Sequence, residues 1–296
     1  MTNLLYTTSD WHLRSTVPVS RAEKSWYDVM DSKIHHLFGH IGSIPLLIAG
    51  DLFDRPDPPA SLVSWAISTM RQAKGPIFTT VGQHDVPNHR VQDRMHGAYG
   101  ALVKAGAIID LPPNEWHKIT DLVSLYAMPW NNYDPPKSEC PTALAVAALH
   151  KYVWQTPDTK YYGATDCSHI NGIRRLGNTF NAIAIGDNHI SWAAMPFINH
   201  GSFWSFNSNQ KDHRPLLGML DHTGDYIPTH SSDPIPAQWQ ELSKGTSTDA
   251  ESVVQYLATA DNSVVDFRGS LKRLEDQSKH EQHKRILQDL NQVLLG

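Results

Sequence analysis

The chain has 296 residues, of which 40% are hydrophobic and 19% charged, and its formal net charge is −5 at pH 7. These values are typical of a globular protein with a large core, and the acidic balance argues against a protein that coats nucleic acid. A nuclease is not excluded, because bound metal ions supply their own positive charge. The sequence has no long apolar run, signal-peptide pattern or cysteine framework, which predicts a cytoplasmic protein with reduced thiols and no membrane span.

Short apolar runs alternate with helical periodicity in the first part of the chain. Apolar residues that recur every three or four positions identify the helices, and short apolar runs that end at Gly or a polar residue identify the strands. Strands are predicted at 4–7, 46–49 and 77–81, and helices at 21–41, 60–73 and 97–105. This strand–helix–strand order predicts a parallel sheet covered by helices.

The middle of the chain is richer in predicted strands, which lie at 108–109, 122–127, 143–149, 180–185, 190–198 and 216–220. The segment 143–149 fits a helix or a strand by composition, and its flanking residues favour a buried strand. The whole pattern predicts an α/β fold in which two layers of strands lie inside two layers of helix, a four-layer αββα sandwich.

The character of the sequence changes at about Thr229, where a linker rich in Ser and Pro begins. Helices are predicted at 250–260 and 271–295, with a short strand at 264–267. We therefore expect one domain at 1–228 and a small appended α+β domain at 229–296. The last helix is amphipathic, which fits packing on its own domain or docking of a partner.

Side chains that bind metals follow five of the predicted strands. They are Asp10 and His12, Asp51, the group Gln83, His84 and Asp85, then His150, and finally Asp187 and His189. Each one taken singly also fits a turn or a buried histidine. Because the carboxyl ends of parallel strands carry the working residues of α/β sheets, five such positions in order predict a metal site. Asp51, which follows an apolar run and a glycine, is the expected hub.

The order Asp-x-His, Gly-Asp, Gly-Gln-His-Asp, His and Gly-Asp-x-His resembles the calcineurin-like metallophosphoesterases over residues 4–221. Within that superfamily, the chain is most similar to SbcD-like DNA repair exonuclease subunits, including versions carried by bacteriophages. The segments that carry this closer resemblance are 50–54 (GDLFD) and 199–202 (NHGS). The resemblance implies the αββα metallophosphoesterase sandwich with a capping or partner-docking domain after residue 229.

The resemblance also implies a two-metal site. One ion would be held by Asp10, His12, Asp51 and His189. The second would share Asp51 as a bridge and be held by Gln83, His150 and Asp187. Two ions of this kind share a hydroxide that attacks phosphorus and neutralise charge on the phosphate oxygens. His84 would protonate the leaving group, and Asp85 would fix its tautomer from behind.

Two positions depart from the family pattern, and both belong to the second ion. Gln83 stands where the family has Asn, and Asp187 stands where it has His. Because Asp187 adds a third carboxylate, we expect Mn²⁺ or Mg²⁺ rather than Zn²⁺ at this position. The same departures leave open a folded scaffold that has lost its second ion.

The function implied by the resemblance is hydrolysis of DNA phosphodiester bonds, as a 3′-to-5′ exonuclease that can also act as an endonuclease. An SbcC-like coiled-coil ATPase would be the partner, and a homodimer is expected by analogy. Two other readings stay open: a phosphodiesterase or phosphatase that acts on small molecules, and a non-catalytic interaction module on a degenerate fold of this kind.

Four residues in the loops after the second and third metal-bearing strands are predicted to contact a phosphate backbone. They are Arg55, His89, Arg90 and Arg94. A solvated rim is the alternative reading. Trp11 and Trp130 either stack on an unpaired base or pack in the core.

Overall fold

The computed structural model describes residues 3–160, 167–206, 210, 212–230 and 237–239. All of them belong to Met1–Gln240, the first of the two units into which the chain divides. In these ranges, no helix is both long enough and apolar enough to cross a membrane.

The first of two six-stranded sheets has the strand order β14-β13-β1-β2-β3-β4. Its strands are β1 (Asn3–Thr8), β2 (Leu46–Ala49), β3 (Ile77–Thr80), β4 (Ile109–Asp110), β13 (Leu216–Asp221) and β14 (Tyr226–His230). The first four strands run parallel, as predicted, and β13 is antiparallel to both β1 and β14.

Three helices cover the outer face of this sheet: α1 (Trp26–Ile41), α2 (Ala60–Met70) and α3 (Ala98–Lys104). Helix α1 begins five residues later than predicted, because the Ser25 side chain caps it by accepting from the Asp28 N–H at 3.3 Å. Its apolar side, which includes Met30 and Ile34, packs in one cluster with Ile48 of β2.

The second sheet has the order β11-β12-β10-β7-β6-β5. Its strands are β5 (Trp116–Lys118), β6 (Val123–Met128), β7 (Leu144–His150), β10 (Ala182–Gly186), β11 (Trp192–Ala194) and β12 (Phe197–Asn199). The strand predicted at 143–149 is confirmed as β7, one residue further along the chain. The single run predicted at 190–198 is two antiparallel strands. A separate two-stranded sheet pairs β8 (Val153–Trp154) with β9 (Ser168–His169).

The two sheets pack face to face through alternating residues of their strands. Leu47 and Ala49 of β2 share a buried cluster with Val146 and Ala148 of β7. The outer face of the second sheet is covered by less helix than predicted, namely α4 (Ile170–Ile173) and a 3₁₀ segment at Arg174–Asn178. The α/β sandwich is confirmed, with one full helical layer and one thin one.

Strand β14 contains Thr229, where the sequence changes character, and it pairs with β13. Apart from residues 229–230 and 237–239, the predicted appended domain lies outside the described residues. The segment 237–239 lies beside residues that follow β1: the Ala22 N–H donates to the Gln238 carbonyl at 2.9 Å, and the Gln238 N–H donates to Glu23 Oε1 at 2.9 Å.

Candidate metal centre

Strand ends from both sheets meet at one place. Asp51 follows β2 after a single glycine, His150 is the last residue of β7, and Asp187 directly follows β10. Backbone hydrogen bonds hold the loop after β1 against the loop after β2, since the Asp10 N–H donates to the Gly50 carbonyl at 3.1 Å and the His12 N–H to the Asp51 carbonyl at 2.9 Å.

Four of the predicted ligands have left-handed backbone conformations. The φ angles are 51° at Asp10, 41° at His12, 49° at Asp51 and 85° at Asp187. Such conformations cost about 1–3 kcal/mol each at a residue other than glycine and are concentrated at functional sites. They turn the chain sharply at the strand ends, where these side chains meet.

Asp51 is completely buried and lies at the centre of the cluster. Its Oδ1 accepts from the His84 backbone N–H at 2.9 Å. Its Oδ2 lies 3.4 Å from Nε2 of His150 and 3.6 Å from Nε2 of His12, yet it accepts no hydrogen bond in the described part of the chain. Gly82 lies directly against it: a Cβ there would be 2.0 Å from Asp51 Oδ1. This crowded carboxylate fits a bridging ligand.

One half of the cluster consists of Asp10, His12 and His189. The Nε2 atoms of the two histidines are 3.0 Å apart, and they lie 4.0 Å and 3.9 Å from Asp10 Oδ1. Asp10 is oriented by the Ser9 hydroxyl, which donates to its Oδ2 at 2.5 Å, and by the Asp187 N–H. Burial lowers the pKa of both His12 and His189, so each ring is neutral and offers a lone pair to a metal ion.

The other half consists of Gln83, His150 and Asp187. His150 donates from Nδ1 to the Ala49 carbonyl at 2.8 Å, which directs its Nε2 into the cluster. That Nε2 lies 2.8 Å from Gln83 Oε1, and Gln83 Nε2 donates to Asp187 Oδ1 at 3.0 Å. Two hydrogen bonds thus join these three side chains in a row, and we call this part of the cluster the closed half.

Electrostatics favour a cation in the cluster. Burial alone would lower the pKa of His150, but the charges of Asp51, Asp10 and Asp187 outweigh it and raise the pKa to about 10. Burial raises the pKa of Asp10 to about 7. Burial acts in the same direction on Asp51, but His150, His12 and His84 together outweigh it and hold the pKa of Asp51 below the usual range. A proton on His150 thus balances charge that a divalent ion would otherwise neutralise.

The donor set fits divalent metal ions, because it combines imidazole nitrogens with carboxylate oxygens. Among the described residues, three groups have ligand atoms within 4.8 Å of one another: Asp10, His12 and His189; His12, Asp51 and His84; and Asp10, Asp51 and His150. The structure thus brings the predicted ligands together and adds His84, which the resemblance would hold off the metals.

Asp54, and not Asp85, orients His84. His84 donates from Nδ1 to the Asp54 carbonyl at 2.9 Å, and its Nε2 lies 4.0 Å from Asp51 Oδ2. Asp85 instead accepts from the N–H groups of Leu52, Phe53 and Gly82, at 2.9–3.2 Å. The expectation that Asp85 fixes the His84 ring is therefore wrong. The Asp85 carboxylate instead binds backbone N–H groups and so joins the loops after β2 and β3. Sequence reasoning missed Asp54, although it lies in the quoted segment 50–54.

The predicted phosphate contacts fall into two groups. Arg55 and Arg90 are exposed and pair with neighbouring carboxylates, at 3.1 Å and 3.5 Å, and the exposed His89 ring packs 5.7 Å from the Trp130 ring. Arg94 differs, because its guanidinium makes two-pronged hydrogen bonds to Asp110 at 3.0–3.2 Å and is only 19% exposed. Arg94 therefore pairs with Asp110 within the protein, whereas the sequence predicted that it would contact a phosphate.

Trp11 packs in the core. It is fully buried and stacks on Phe203 with ring centroids 4.7 Å apart. Cys140 and Cys167 form no disulfide in the described part of the chain.

A row of three buried polar side chains, His200, Thr7 and Tyr226, was not predicted from the sequence. His200 is fully buried, and its Nδ1 donates to the Ile185 carbonyl at 3.1 Å. Its Nε2 therefore accepts from the Thr7 hydroxyl at 2.8 Å, and Thr7 accepts from the Tyr226 hydroxyl at 2.6 Å. Burial lowers the pKa of His200 to about 4, so the ring stays neutral. The row joins both sheets, and its only sequence signal was the segment 199–202.

No protein-family model and no curated protein matches this chain. Among solved structures, it is similar to the NAD nucleotidase NadN of Haemophilus influenzae, with a TM-score of 0.43 and 11% sequence identity over 98% of this chain. The chain spans 60% of the length of that structure.

Proposed function

We propose that this protein is a metal-dependent phosphodiesterase that hydrolyses DNA. One observation carries the proposal: side chains from strand ends of both sheets converge on Asp51, whose buried Oδ2 accepts no hydrogen bond in the described ranges. A fold does not need such an arrangement for stability, since a buried unsatisfied carboxylate oxygen is costly. Divalent ions would satisfy it.

When bound, two such ions supply a nucleophile at neutral pH and neutralise the phosphate oxygens. Asp10, His12, Asp51 and His189 would hold the first ion. Asp51, Gln83, His150 and Asp187 would hold the second.

His84 is suited to a different task. Its side chain is 41% exposed, and its Nδ1 is fixed by the Asp54 carbonyl, so its Nε2 is available at the open side of the centre. Burial opposes a proton on His84, but the hydrogen bond to the Asp54 carbonyl and the charges of Asp51, Asp54 and Asp85 together outweigh it and raise the pKa of His84. We assign His84 as the group that binds the phosphate and protonates the leaving oxygen.

DNA as substrate, exonuclease action with additional endonuclease action, and Mn²⁺ as the preferred ion follow from the resemblance to SbcD-like nucleases. The same resemblance supports an SbcC-like coiled-coil ATPase as partner and a homodimer as the assembly.

Nuclease assays test the proposal. The protein is stripped with chelator, reloaded with Mn²⁺, Mg²⁺ or Zn²⁺, and given linear DNA, hairpin DNA and a chromogenic phosphodiester, with Asp51→Ala as the inactive control. We expect DNA cleavage that needs metal, is lost in the control and is faster with Mn²⁺ than with Zn²⁺. Hydrolysis of the small ester without DNA cleavage would identify a small-molecule phosphodiesterase, and no hydrolysis of either would identify a non-catalytic module.

A further inference from the structure

Arg14 lies at the border of the metal centre, two residues after His12. Its position is set by the loop that precedes it, because Leu13 forms a parallel bridge with Phe53 and its carbonyl accepts from the Asp54 N–H at 3.1 Å. This pairing brings Arg14 beside Asp54, the residue whose carbonyl holds the His84 ring.

The cation of Arg14 is only weakly neutralised. Its Nη2 lies 3.9 Å from Asp54 Oδ2, at the outer limit of an ion pair, and its buried Nε has no acceptor among the described residues. Arg94, in contrast, uses its guanidinium on two partners, since its Nε and Nη2 donate to Asp110 and its Nη1 donates to the Val91 carbonyl at 3.3 Å. Because the Arg14 side chain is 30% exposed and its ion pair with Asp54 is long, the Nη donors of its guanidinium are available to an anion.

Arg14 and His12 share two neighbours. Asp54 Oδ1 lies 3.9 Å from Nδ1 of His12, and the Phe206 ring lies 6.1 Å from the His12 ring and 5.9 Å from the Arg14 guanidinium carbon. The other two histidines near His12 are His84 and His189, with side chains 41% and 39% exposed. Arg14 therefore flanks the accessible side of the cluster, where a substrate would enter.

We propose that Arg14 binds a second phosphate of the substrate, next to the one that is cleaved. This inference rests on the proposed function and narrows its substrate class to chains with at least two phosphates. The planar guanidinium matches two phosphate oxygens at once, which favours a nucleic-acid strand over an ester with a single phosphate. The weak contact with Asp54 can be exchanged for the phosphate at low cost, because half-exposed ion pairs contribute little.

A positioning role is the competing explanation. Arg14 would then act through Asp54 on the His84 ring, and its loss would change turnover and its pH dependence for every substrate. Substrate binding by Arg14 instead predicts a loss confined to substrates that carry a second phosphate.

The test compares Arg14→Gln and Arg14→Lys with Arg71→Gln, a matched loss of charge at the residue that follows α2, where Arg71 donates to the Ala105 carbonyl. Turnover and KM are measured with Mn²⁺ on a short DNA oligonucleotide and on a dinucleoside monophosphate, over a range of salt concentrations. Thermal unfolding confirms that each variant folds.

For Arg14→Gln we expect KM for the oligonucleotide to rise about tenfold or more, with the dinucleoside monophosphate unchanged and a shallower salt dependence. Arg14→Lys should recover part of the loss, and Arg71→Gln should resemble the wild type. An equal loss on both substrates with a shifted pH profile would establish the positioning role, and no loss on either would overturn the proposal.

Failure of the proposed DNA hydrolysis can be distinguished from failure of the proposal for Arg14. If the wild-type protein cleaves neither substrate, fluorescence anisotropy with a labelled oligonucleotide still decides the role of Arg14. Weaker binding by Arg14→Gln than by Arg71→Gln would support the contact, and equal binding would refute it.

Discussion

The two halves of the metal centre differ in how far their side chains satisfy one another. His150, Gln83 and Asp187 form a closed row of hydrogen bonds, and His150 is fully buried. His12 and His189 face each other with two ring nitrogens 3.0 Å apart, and His189 is 39% exposed.

The difference indicates how each half would accept an ion. The half with His12 offers neutral nitrogens, and an ion there would break the contact between the two Nε2 atoms without displacing a charge-balancing proton. In the other half, an ion must displace the proton of His150 and break its bond to Gln83. Both departures from the family pattern, Gln83 and Asp187, lie in that closed half. We therefore expect the first ion to bind more tightly than the second.

Replacing the residue that both halves share should have the largest effect. Asp51→Asn keeps the shape of the side chain and removes the charge that would bridge the ions. Because the loss of outer-shell partners alone costs 10–100-fold, we expect Mn²⁺-dependent hydrolysis to fall by more than about 100-fold. Steady-state assays measure this, with thermal unfolding as the control for folding. Activity near that of the wild type would exclude Asp51 as a ligand.

Asp187→Asn separates the two halves. The amide still contacts Gln83 but lacks the carboxylate charge, so the second ion should bind about 10–100-fold more weakly while the first is retained. Calorimetric titration with Mn²⁺ should show two classes of site in the wild type and one strong class in the variant. Asp10→Asn is the matched change in the other half and should weaken the first class. Two undiminished classes in Asp187→Asn would contradict the ligand assignment.

The titration of His150 gives a pH test of the closed half. Its folded pKa of about 10 lies above the unfolded value of 6.5, so its protonation stabilises the metal-free protein fully below pH 6.5. This contribution is lost as pH rises from 6.5 to 10. The melting temperature of the chelated protein should fall across that window.

Metal binding should therefore release about one proton at pH 8. Calorimetry in buffers of different ionisation enthalpy measures the release, and His150→Gln is the control in which it should disappear. Binding of Mn²⁺ without proton release would show that His150 is neutral before the ion arrives.

Arg94→Gln should have the smallest effect on catalysis. It removes the partner of the nearly buried Asp110, which also accepts from the Tyr99 hydroxyl at 2.7 Å. We expect unfolding free energy to fall by about 1–3 kcal/mol in denaturant titrations, with kcat/KM for DNA unchanged. A raised KM with unchanged stability would instead restore Arg94 as a phosphate contact.

Local patterns in the sequence predicted the central strands of both sheets and most of the centre, but not the strands β5, β8, β9 and β14. Apolar runs fix the buried strands, and the carboxyl ends of parallel strands bring their next residues together, so Asp51 and His150 could be paired before the structure was known. The start of α1 was harder to predict. Residues 21–25 continue the helical composition, but they precede the helix, and Arg21 and Glu23 bond to each other there.

The sequence by itself determined the α/β class, the parallel direction of the first strands and the identity of the side chains that meet. Only the tertiary structure decided their partners: Asp85 holds the Phe53 N–H across 32 residues, and His150 is oriented by Ala49 across 101 residues. It also decided the left-handed turns at Asp10 and Asp51. The physical reason is that periodicity reports which face of an element is buried, whereas the partner of a polar side chain depends on which distant loop packs beside it.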